Sequence, residues 1–203
     1  MSRFISEELN QAIEQMGDDP IRILRALILA ADEDFEIDDE SIDKIIDKSW
    51  AILDVSFDEI SAEMDKLLVC KNPEKGLQLL ADTEILRYIL PELWLQIEYD
   101  QDSPHHSLNL WDHTKKVVSL SSDDLIMRWV ALLHDIGKPF VRKKNSEGFS
   151  SYFMHNKVGA EMARGIACRL KWPSDRTEKV LILIDEHMDD DSPLRQADNC
   201  AKL

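Results

Sequence analysis

Cysteine is scarce in this chain: its 203 residues include three, Cys70, Cys168 and Cys200, which are far apart and odd in number. Such a set does not suit the disulfide framework of a small secreted protein, and it favours a reducing compartment. No apolar run approaches the roughly 20 residues of a membrane-spanning helix, and the first residues lack the pattern of a signal peptide. We therefore expect a soluble cytoplasmic protein with no membrane partner.

Basic residues are scarce in the first half of the chain. Residues 1–104 hold 9 Lys/Arg against 26 Asp/Glu, whereas residues 105–203 hold 15 against 14, so the net charge of −16 comes from the first half. An acidic surface repels polyanions, so we expect no DNA partner and no broad RNA-binding surface there. Most of these charges suit a solvated face, and a basic protein partner is the alternative. The neutral second half could admit a phosphorylated ligand.

Strand patterns are scarce too, whereas helix-start signals recur along the chain. Examples are Asp19-Pro20, the capping box Ser56-Phe57-Asp58-Glu59 and Asn72-Pro73. The exception is 141–153, where β-prone flanks around Asn145-Ser146-Glu147-Gly148 predict a hairpin or an ordered loop. We predict an all-α helical bundle with an acidic helical domain over 1–104 and a second helical domain over 105–203.

All six histidines lie between positions 105 and 187. Four of them each lie on the same face of a predicted helix as neighbouring apolar residues: His113, His134, His155 and His187. Any one of the four alone would suit an ordinary core histidine with a hydrogen-bonded ring. Four buried imidazoles beside Asp135 would each need a separate hydrogen-bond partner, because a buried polar group without one costs about 1–3 kcal/mol of stability. A single cation bound by all of them would remove that cost. Asp198 could supply a further carboxylate.

The ordered histidines and aspartates carry a family resemblance. The set His113, His134-Asp135, His155, His187 and Asp198, with Ile136-Gly137-Lys138 after the doublet, resembles the signature of the HD-domain metal-dependent phosphohydrolases. Asp19–Leu27, Phe35–Asp38, Pro104-His105-His106, Leu110–Thr114, Tyr152–His155 and Val158–Glu161 are similar to the neck and HD region of bacterial CCA-adding enzymes and poly(A) polymerases. The nucleotidyltransferase head of that family has no counterpart among the 203 residues, so we do not expect nucleotide addition by this chain alone.

The resemblance implies a divalent-metal centre with the ligands His113, His134, Asp135, His155, His187 and Asp198. Imidazole and carboxylate donors suit one or two ions of Mn, Fe, Ni, Co, Zn or Mg. With two ions, His113, His134, Asp135 and Asp198 would hold the first and His155 and His187 the second, and Asp135 would bridge them. We expect Asp135 and Lys138 to be catalytic, with Lys138 neutralising a phosphate oxygen, although a surface lysine is an equal alternative.

The candidates for substrate binding are Lys138, Arg142, Lys143 and His106, although a solvated loop also explains the basic run at 142–144. The predicted function is that of a metal-dependent phosphohydrolase, either a phosphodiesterase or a phosphatase. Its predicted substrate is a phosphorylated small molecule, a nucleotide or an RNA end, and the resemblance adds a 2′,3′-cyclic phosphate to the candidates. The alternatives are a non-catalytic module that binds RNA or protein, and the HD subunit of a split tRNA nucleotidyltransferase.

Overall fold

The computed structural model describes residues 7–15, 19–102, 107–144, 146 and 148–202. The chain forms two compact units, Met1–Pro91 and Glu92–Leu203. Within the described ranges, helices supply nearly all of the regular structure, and one sheet of two short strands is present. The predicted all-α fold class is confirmed.

The first unit is a succession of short helices that begin at polar caps. Its elements are α1 (Glu7–Glu14), α2 (Ile21–Asp32), α3 (Asp39–Ile46), a 3₁₀ helix (Ser49–Asp54), α4 (Phe57–Leu68), α5 (Pro73–Asp82) and α6 (Ile85–Ile89). Asn72 caps α5 as predicted, because its side chain accepts a hydrogen bond from the Lys75 amide at 3.2 Å. Pro20 rather than Asp19 precedes α2, and the Asp19 carboxylate instead pairs with Arg22.

The core of the first unit is apolar. Helix α2 packs against α1, α4 and α5. Leu24 and Leu27 of α2, Met64 of α4 and Leu77 and Leu80 of α5 are fully buried. Removing these side chains from water is the main favourable contribution to folding of the unit, at about 1.5–3 kcal/mol for each large aliphatic side chain.

The second unit contains the remaining helices and the sheet. Its elements are α7 (Pro91–Trp94), α8 (Leu110–Leu120), α9 (Leu125–Leu133), α10 (Lys138–Val141), β1 (Lys143–Lys144), β2 (Ser150–Ser151), α11 (His155–Arg169), α12 (Ser174–Asp185) and α13 (Arg195–Cys200). Strands β1 and β2 pair antiparallel, with Lys143 opposite Ser151, so the predicted hairpin is present. Helix α9 packs against α8 and α12, and α12 packs against α11. The carboxyl end of α9, which carries His134, is therefore surrounded by other helices.

Polar contacts assign residues 96–102 to the second unit. The Thr114 hydroxyl donates to Gln96 Oε1 at 2.9 Å, and Lys138 Nζ donates to Gln101 Oε1 at 2.8 Å. The Tyr152 hydroxyl donates to the Gln101 carbonyl at 2.6 Å. The compact unit thus begins at Glu92, ahead of the domain boundary predicted at 104/105, because buried hydrogen bonds rather than surface charge decide which core a segment joins. Domains of 1–104 and 105–203 as functional divisions remain a prediction.

In the ranges that the structure describes, each helix is either too short or too polar to cross a lipid bilayer.

Candidate metal centre

The structure brings the six predicted metal ligands together inside the second unit. His113 lies in the first turns of α8, His134 and Asp135 directly follow α9, and His155 opens α11. His187 follows the end of α12, and Asp198 lies in α13. All six side chains are buried, with residue exposures between 0% and 7%. Buried ionisable groups in such a number need partners, because an isolated buried charge is strongly unfavourable.

Four of these residues form one group of donor atoms, which we call the Asp198 group. His113 Nε2 lies 3.1 Å from Asp198 Oδ1 and 3.6 Å from Asp135 Oδ2. His134 Nε2 lies 3.2 Å from Asp135 Oδ2 and 3.9 Å from Asp198 Oδ1. Donor atoms about 2.0–2.2 Å from one ion stand about 3–3.5 Å from each other. His113, His134 and Asp135 thus form a group that could hold a divalent cation, and Asp198 adjoins it through the two histidines.

The other oxygen of Asp135 faces a second group, which we call the His187 group. Asp135 Oδ1 lies 3.2 Å from His155 Nε2 and 3.8 Å from His187 Nε2. The two imidazole nitrogens are 3.1 Å apart. One carboxylate thus presents Oδ2 to the first group and Oδ1 to the second, so that Asp135 could be shared by two ions.

The backbone sets the protonation of three imidazoles. His134 Nδ1 lies 2.7 Å from the Ala131 carbonyl, His155 Nδ1 2.7 Å from the Tyr152 carbonyl, and His187 Nδ1 2.6 Å from the Ile184 carbonyl. A carbonyl oxygen only accepts hydrogen bonds, so Nδ1 carries the proton in each ring and the Nε2 lone pair faces the site in the neutral form.

These lone pairs fit a bound cation. His134 Nε2 is buried and faces Asp135 Oδ2 at 3.2 Å, an acceptor that offers no proton to the lone pair of the neutral ring. The Nε2 atoms of His155 and His187 face each other at 3.1 Å, where two lone pairs repel unless a proton or a metal ion lies between them. The donor set therefore matches the chemistry of a divalent metal with nitrogen and oxygen ligands.

The ionisation of the donors favours the same conclusion. Burial, together with the nearby His134 charge, lowers the pKa of His187 to about 4, so the ring is neutral at pH 7. Burial opposes ionisation of Asp135, but the charges of His134 and Lys138 outweigh it and hold the pKa of Asp135 well below its usual range. Burial likewise opposes ionisation of Asp198, yet the hydrogen bond from His113 keeps its pKa below normal. Both carboxylates are charged and His187 is uncharged, the states in which they bind metal, whereas burial of His134 is outweighed by Asp135, which raises the pKa of His134, so a metal that binds this ring displaces its proton.

A glycine brings the two halves of the site together. A Cβ atom added at Gly137 would lie 2.2 Å from the His155 carbonyl oxygen and 2.8 Å from the Gly159 nitrogen. Only glycine allows the turn after His134-Asp135 to lie directly against the first turn of α11. This packing holds Asp135 next to His155.

Two lysines contact the candidate ligands. Lys138 is a buried residue rather than a surface lysine, and its Nζ lies 2.6 Å from Asp135 Oδ2. Lys202 was missed by the sequence analysis, and its Nζ lies 2.6 Å from Asp198 Oδ2. Its position four residues after Asp198 on a helical segment was the available signal. Lys202 occupies Oδ2 and leaves Oδ1 of Asp198 facing His113 and His134.

The other substrate-binding candidates are arranged differently. The Arg142 guanidinium pairs with Asp102, and its Nε donates to Ser150 Oγ at 2.8 Å. Lys144 Nζ lies 2.9 Å from the same Asp102 carboxylate, so this carboxylate offsets two of the three basic groups at 142–144. Lys143 is exposed on β1. His106, like His105, lies outside the described residues, and the phosphate-binding roles of Arg142, Lys143 and His106 remain predictions.

A cavity of about 410 Å³ opens onto the candidate metal centre. Its walls include four of the candidate ligands, namely Asp135, His155, His187 and Asp198. Lys138 and Lys202 line it as well, together with residues 150–153 and Met188. The volume lies within the range of about 300–1,000 Å³ that is typical of small-molecule sites. Four of the buried ligands are therefore accessible from a cavity large enough for a small molecule.

Comparisons with known proteins agree with this geometry. Residues 105–203 match the HD domain family, and residues 34–97 match the family described as "Probable RNA and SrmB- binding site of polymerase A". The CC-adding tRNA nucleotidyltransferase of Thermus thermophilus is 35% identical over 138 residues, which are 65% of this chain and 32% of that protein. The Multifunctional CCA protein of Psychromonas ingrahamii is 28% identical over 182 residues, which are 84% of this chain and 43% of that protein.

A third relative, the A-adding tRNA nucleotidyltransferase of Deinococcus radiodurans, is 31% identical over 140 residues, or 66% of this chain and 32% of that protein. The chain thus spans less than half the length of each of these relatives. The predicted resemblance to the neck and HD region of CCA-adding enzymes is confirmed.

Proposed function

We propose, from the premise that residues 105–203 are an HD domain and residues 34–97 a polymerase-type neck, that this chain is a metal-dependent phosphohydrolase. Its substrate would be a nucleotide or RNA-end phosphate, with a 2′,3′-cyclic phosphate among the candidates, and its location cytoplasmic. The observation that supports this most is the Asp135 carboxylate, whose oxygens face two different groups of imidazole nitrogens.

In this proposal the Asp198 group would hold one divalent ion and the His187 group could hold a second, and Asp135 would belong to both groups. Bound there, the metal would lower the pKa of a water molecule and withdraw charge from the phosphoryl oxygens. Mn, Fe, Ni, Co and Zn suit the imidazole-rich donor set, and Mg is tolerated where carboxylates and waters dominate.

The lysines have separate roles in this proposal. The Lys138 ammonium donates to Gln101 and pairs with the Asp135 carboxylate, which it holds in place. The same ammonium would contact a phosphate oxygen in the cavity. Lys202 holds Asp198 and adds a second positive charge to the cavity wall. Two ammonium groups beside the ligands favour an anionic substrate and resist its release as long as the phosphate remains charged.

The test begins with elemental analysis of protein purified without added metal. Hydrolysis of 2′,3′-cyclic AMP, 3′-AMP and 5′-AMP is then followed before chelation, after chelation, and after return of Mn, Co, Ni, Zn or Mg. We expect hydrolysis of at least one ester, its loss on chelation and its recovery with one or more of these metals. A fully metal-loaded protein that hydrolyses none of the esters would contradict the proposal.

A second candidate function is a binding module for RNA or protein, or the HD subunit of a two-chain tRNA nucleotidyltransferase. The match of residues 34–97 to an RNA-binding family favours it. The charge of that segment argues against RNA, because it holds 6 Lys/Arg against 16 Asp/Glu. Tight binding of tRNA, or co-purification of a nucleotidyltransferase chain, without metal-dependent hydrolysis would favour this second function.

A further inference from the structure

Two apolar side chains are exposed at the cavity beside the candidate metal centre. Phe153 is 82% exposed and Met188 is 49% exposed. Single exposed apolar residues are common on protein surfaces. These two, however, come from different segments and line one cavity that Lys138 and Lys202 also line. The cavity therefore combines exposed apolar side chains with two lysines, each of which lies beside a carboxylate of the candidate metal centre.

The backbone holds Phe153 in its exposed position. On one side, the Tyr152 hydroxyl donates to the Gln101 carbonyl at 2.6 Å. The Tyr152 carbonyl in turn accepts the His155 amide at 3.1 Å and lies 2.7 Å from His155 Nδ1. On the other side, Met154 has a φ of 66°, in the left-handed region that non-glycine residues seldom adopt. The turn that orients His155 thus also directs Phe153 outward.

The chemistry of this cavity matches a nucleoside phosphate. An exposed phenyl ring offers a flat surface on which any base can stack, and the polarisable thioether of Met188 suits an aromatic neighbour. The ammonium groups of Lys138 and Lys202 suit a phosphate. A simple phosphate ester would use only the inner part of the cavity and would leave Phe153 without a contact.

We propose that Phe153 stacks on the base of a nucleoside phosphate whose phosphate group lies at Lys138 and the candidate metal ligands. This inference rests on the proposed function and adds to it the residue that contacts the base of the nucleotide. Stacking recognises that a base is present without recognising which base it is.

The experiment measures binding and hydrolysis in the same samples. AMP and ribose 5-phosphate differ only by the base, and their affinities for the protein in Mn²⁺ are compared by titration calorimetry. We expect AMP to bind about 10-fold more tightly than ribose 5-phosphate. Phe153→Ala should abolish that preference while leaving the affinity for ribose 5-phosphate unchanged, and Phe153→Trp should retain it. Phe153 is so exposed that its truncation does not threaten folding.

Phe140→Ala is the matched control, because Phe140 is 56% exposed on α10 and is absent from the described lining of this cavity. We expect it to change neither affinity. The proposal is overturned if wild-type protein shows no preference for AMP, or if Phe153→Ala keeps that preference. A Phe153-dependent preference without hydrolysis of AMP or of a cyclic phosphate would support stacking and count against the hydrolase function. Hydrolysis together with equal AMP affinities in wild type and Phe153→Ala would support the hydrolase function and count against stacking.

Discussion

The two compact units treat their charged side chains in opposite ways. Residues 1–91 hold 9 Lys/Arg against 22 Asp/Glu, and among the described residues of that unit Glu63 is the charged side chain that is fully buried. Arg25 and Lys66 both pair with it, at 2.9 and 3.0 Å. Residues 92–203 are nearly balanced, with 15 Lys/Arg against 18 Asp/Glu. The second unit nevertheless buries Asp135, Asp198 and four histidines around one point.

This difference shows that net charge and functional charge are separate properties. The first unit's charges lie mostly at the surface, where ion pairs such as Lys71 with Glu33 contribute about 0–1 kcal/mol. In the second unit a few buried ionisable groups gather in a cavity, an arrangement typical of functional sites. The unit with the larger net charge is therefore not the unit that contains the candidate metal centre.

The strongest test of the comparison is Asp135→Asn. The amide keeps the shape of the carboxylate but loses the charge that both donor groups share. We expect bound metal to fall to a small fraction and hydrolysis to fall about 10³-fold, equivalent to about 4 kcal/mol in the barrier. Elemental analysis and rates with 2′,3′-cyclic AMP measure the two effects.

Asp191→Asn is the control for that variant, because Asp191 is an exposed aspartate in the same unit. It should leave metal content and rate unchanged. Full metal content in Asp135→Asn would show that the two donor groups do not depend on a shared carboxylate.

A second test separates the packing of the site from its chemistry. We expect Gly137→Ala to destabilise the second unit by about 3 kcal/mol, because its new methyl group would overlap the His155 carbonyl. Gly165→Ala is the matched control, since a Cβ there meets nothing within 4 Å in the middle of α11. It should stabilise the helix by about 0.5–1 kcal/mol. Denaturant unfolding measures both values, and two changes of the same sign would contradict the close approach.

A third test uses pH on metal-free protein. The pKa of His187 is about 4 in the folded chain against 6.5 in the unfolded chain. The unfolded chain therefore takes up this proton first as the pH falls. Stability from His187 is present above pH 6.5 and is lost as the pH falls toward 4, by about 3 kcal/mol at pH 4.

The effect can be read from urea unfolding at several pH values, with His187→Gln as the comparison. The variant should lose this part of the pH dependence. Burial opposes the charge of His134 but Asp135 outweighs it and raises the pKa of His134, so that histidine contributes the opposite slope above pH 6.5. Identical slopes for wild type and His187→Gln between pH 6.5 and 4 would contradict the assignment to His187.

The smallest expected effect concerns the acidic unit. Raising NaCl to about 0.5 M should stabilise residues 1–91 by about 0.5 kcal/mol, because screening weakens the repulsion among the excess carboxylates. The nearly balanced second unit should respond less. Amide hydrogen exchange in α2 and α9 reports on the two units separately. Equal stabilisation of the two units by NaCl would show that their difference in net charge does not affect their stability.

The residues of the candidate site that could be predicted from the sequence are those on helices with a clear apolar stripe. His113, His134, His155 and His187 fall in this class, because the apolar neighbours of each indicate which face turns inward, and Asp135 and Asp198 were predicted with them from the ordered signature. The hairpin was predicted from local turn chemistry as well, and Lys143 and Lys144 form its first strand.

The parts that could not be predicted depend on contacts between distant segments. Gln101 lies 37 positions before its partner Lys138, and Asp102 lies 40 positions before Arg142. No local pattern indicates such pairs. The burial of Lys138 and the start of the second unit at Glu92 both follow from them. Lys202 was overlooked for a different reason, because an i,i+4 lysine after an aspartate is a common surface pattern.

The three carbonyl oxygens that accept from His134, His155 and His187 belong to the residue three positions before each ring. Many metal sites assign this task to another side chain, which a single base change in the gene can remove. Here the accepting atom does not depend on the side chain of Ala131, Tyr152 or Ile184, since every residue has a carbonyl, but Ala131 and Ile184 are fully buried and their side chains fix where that carbonyl lies. The orientation of each ring at this centre therefore depends on the path of the backbone, and we expect mutational sensitivity at the donors, at Gly137 and at the buried residues that pack around these three carbonyls.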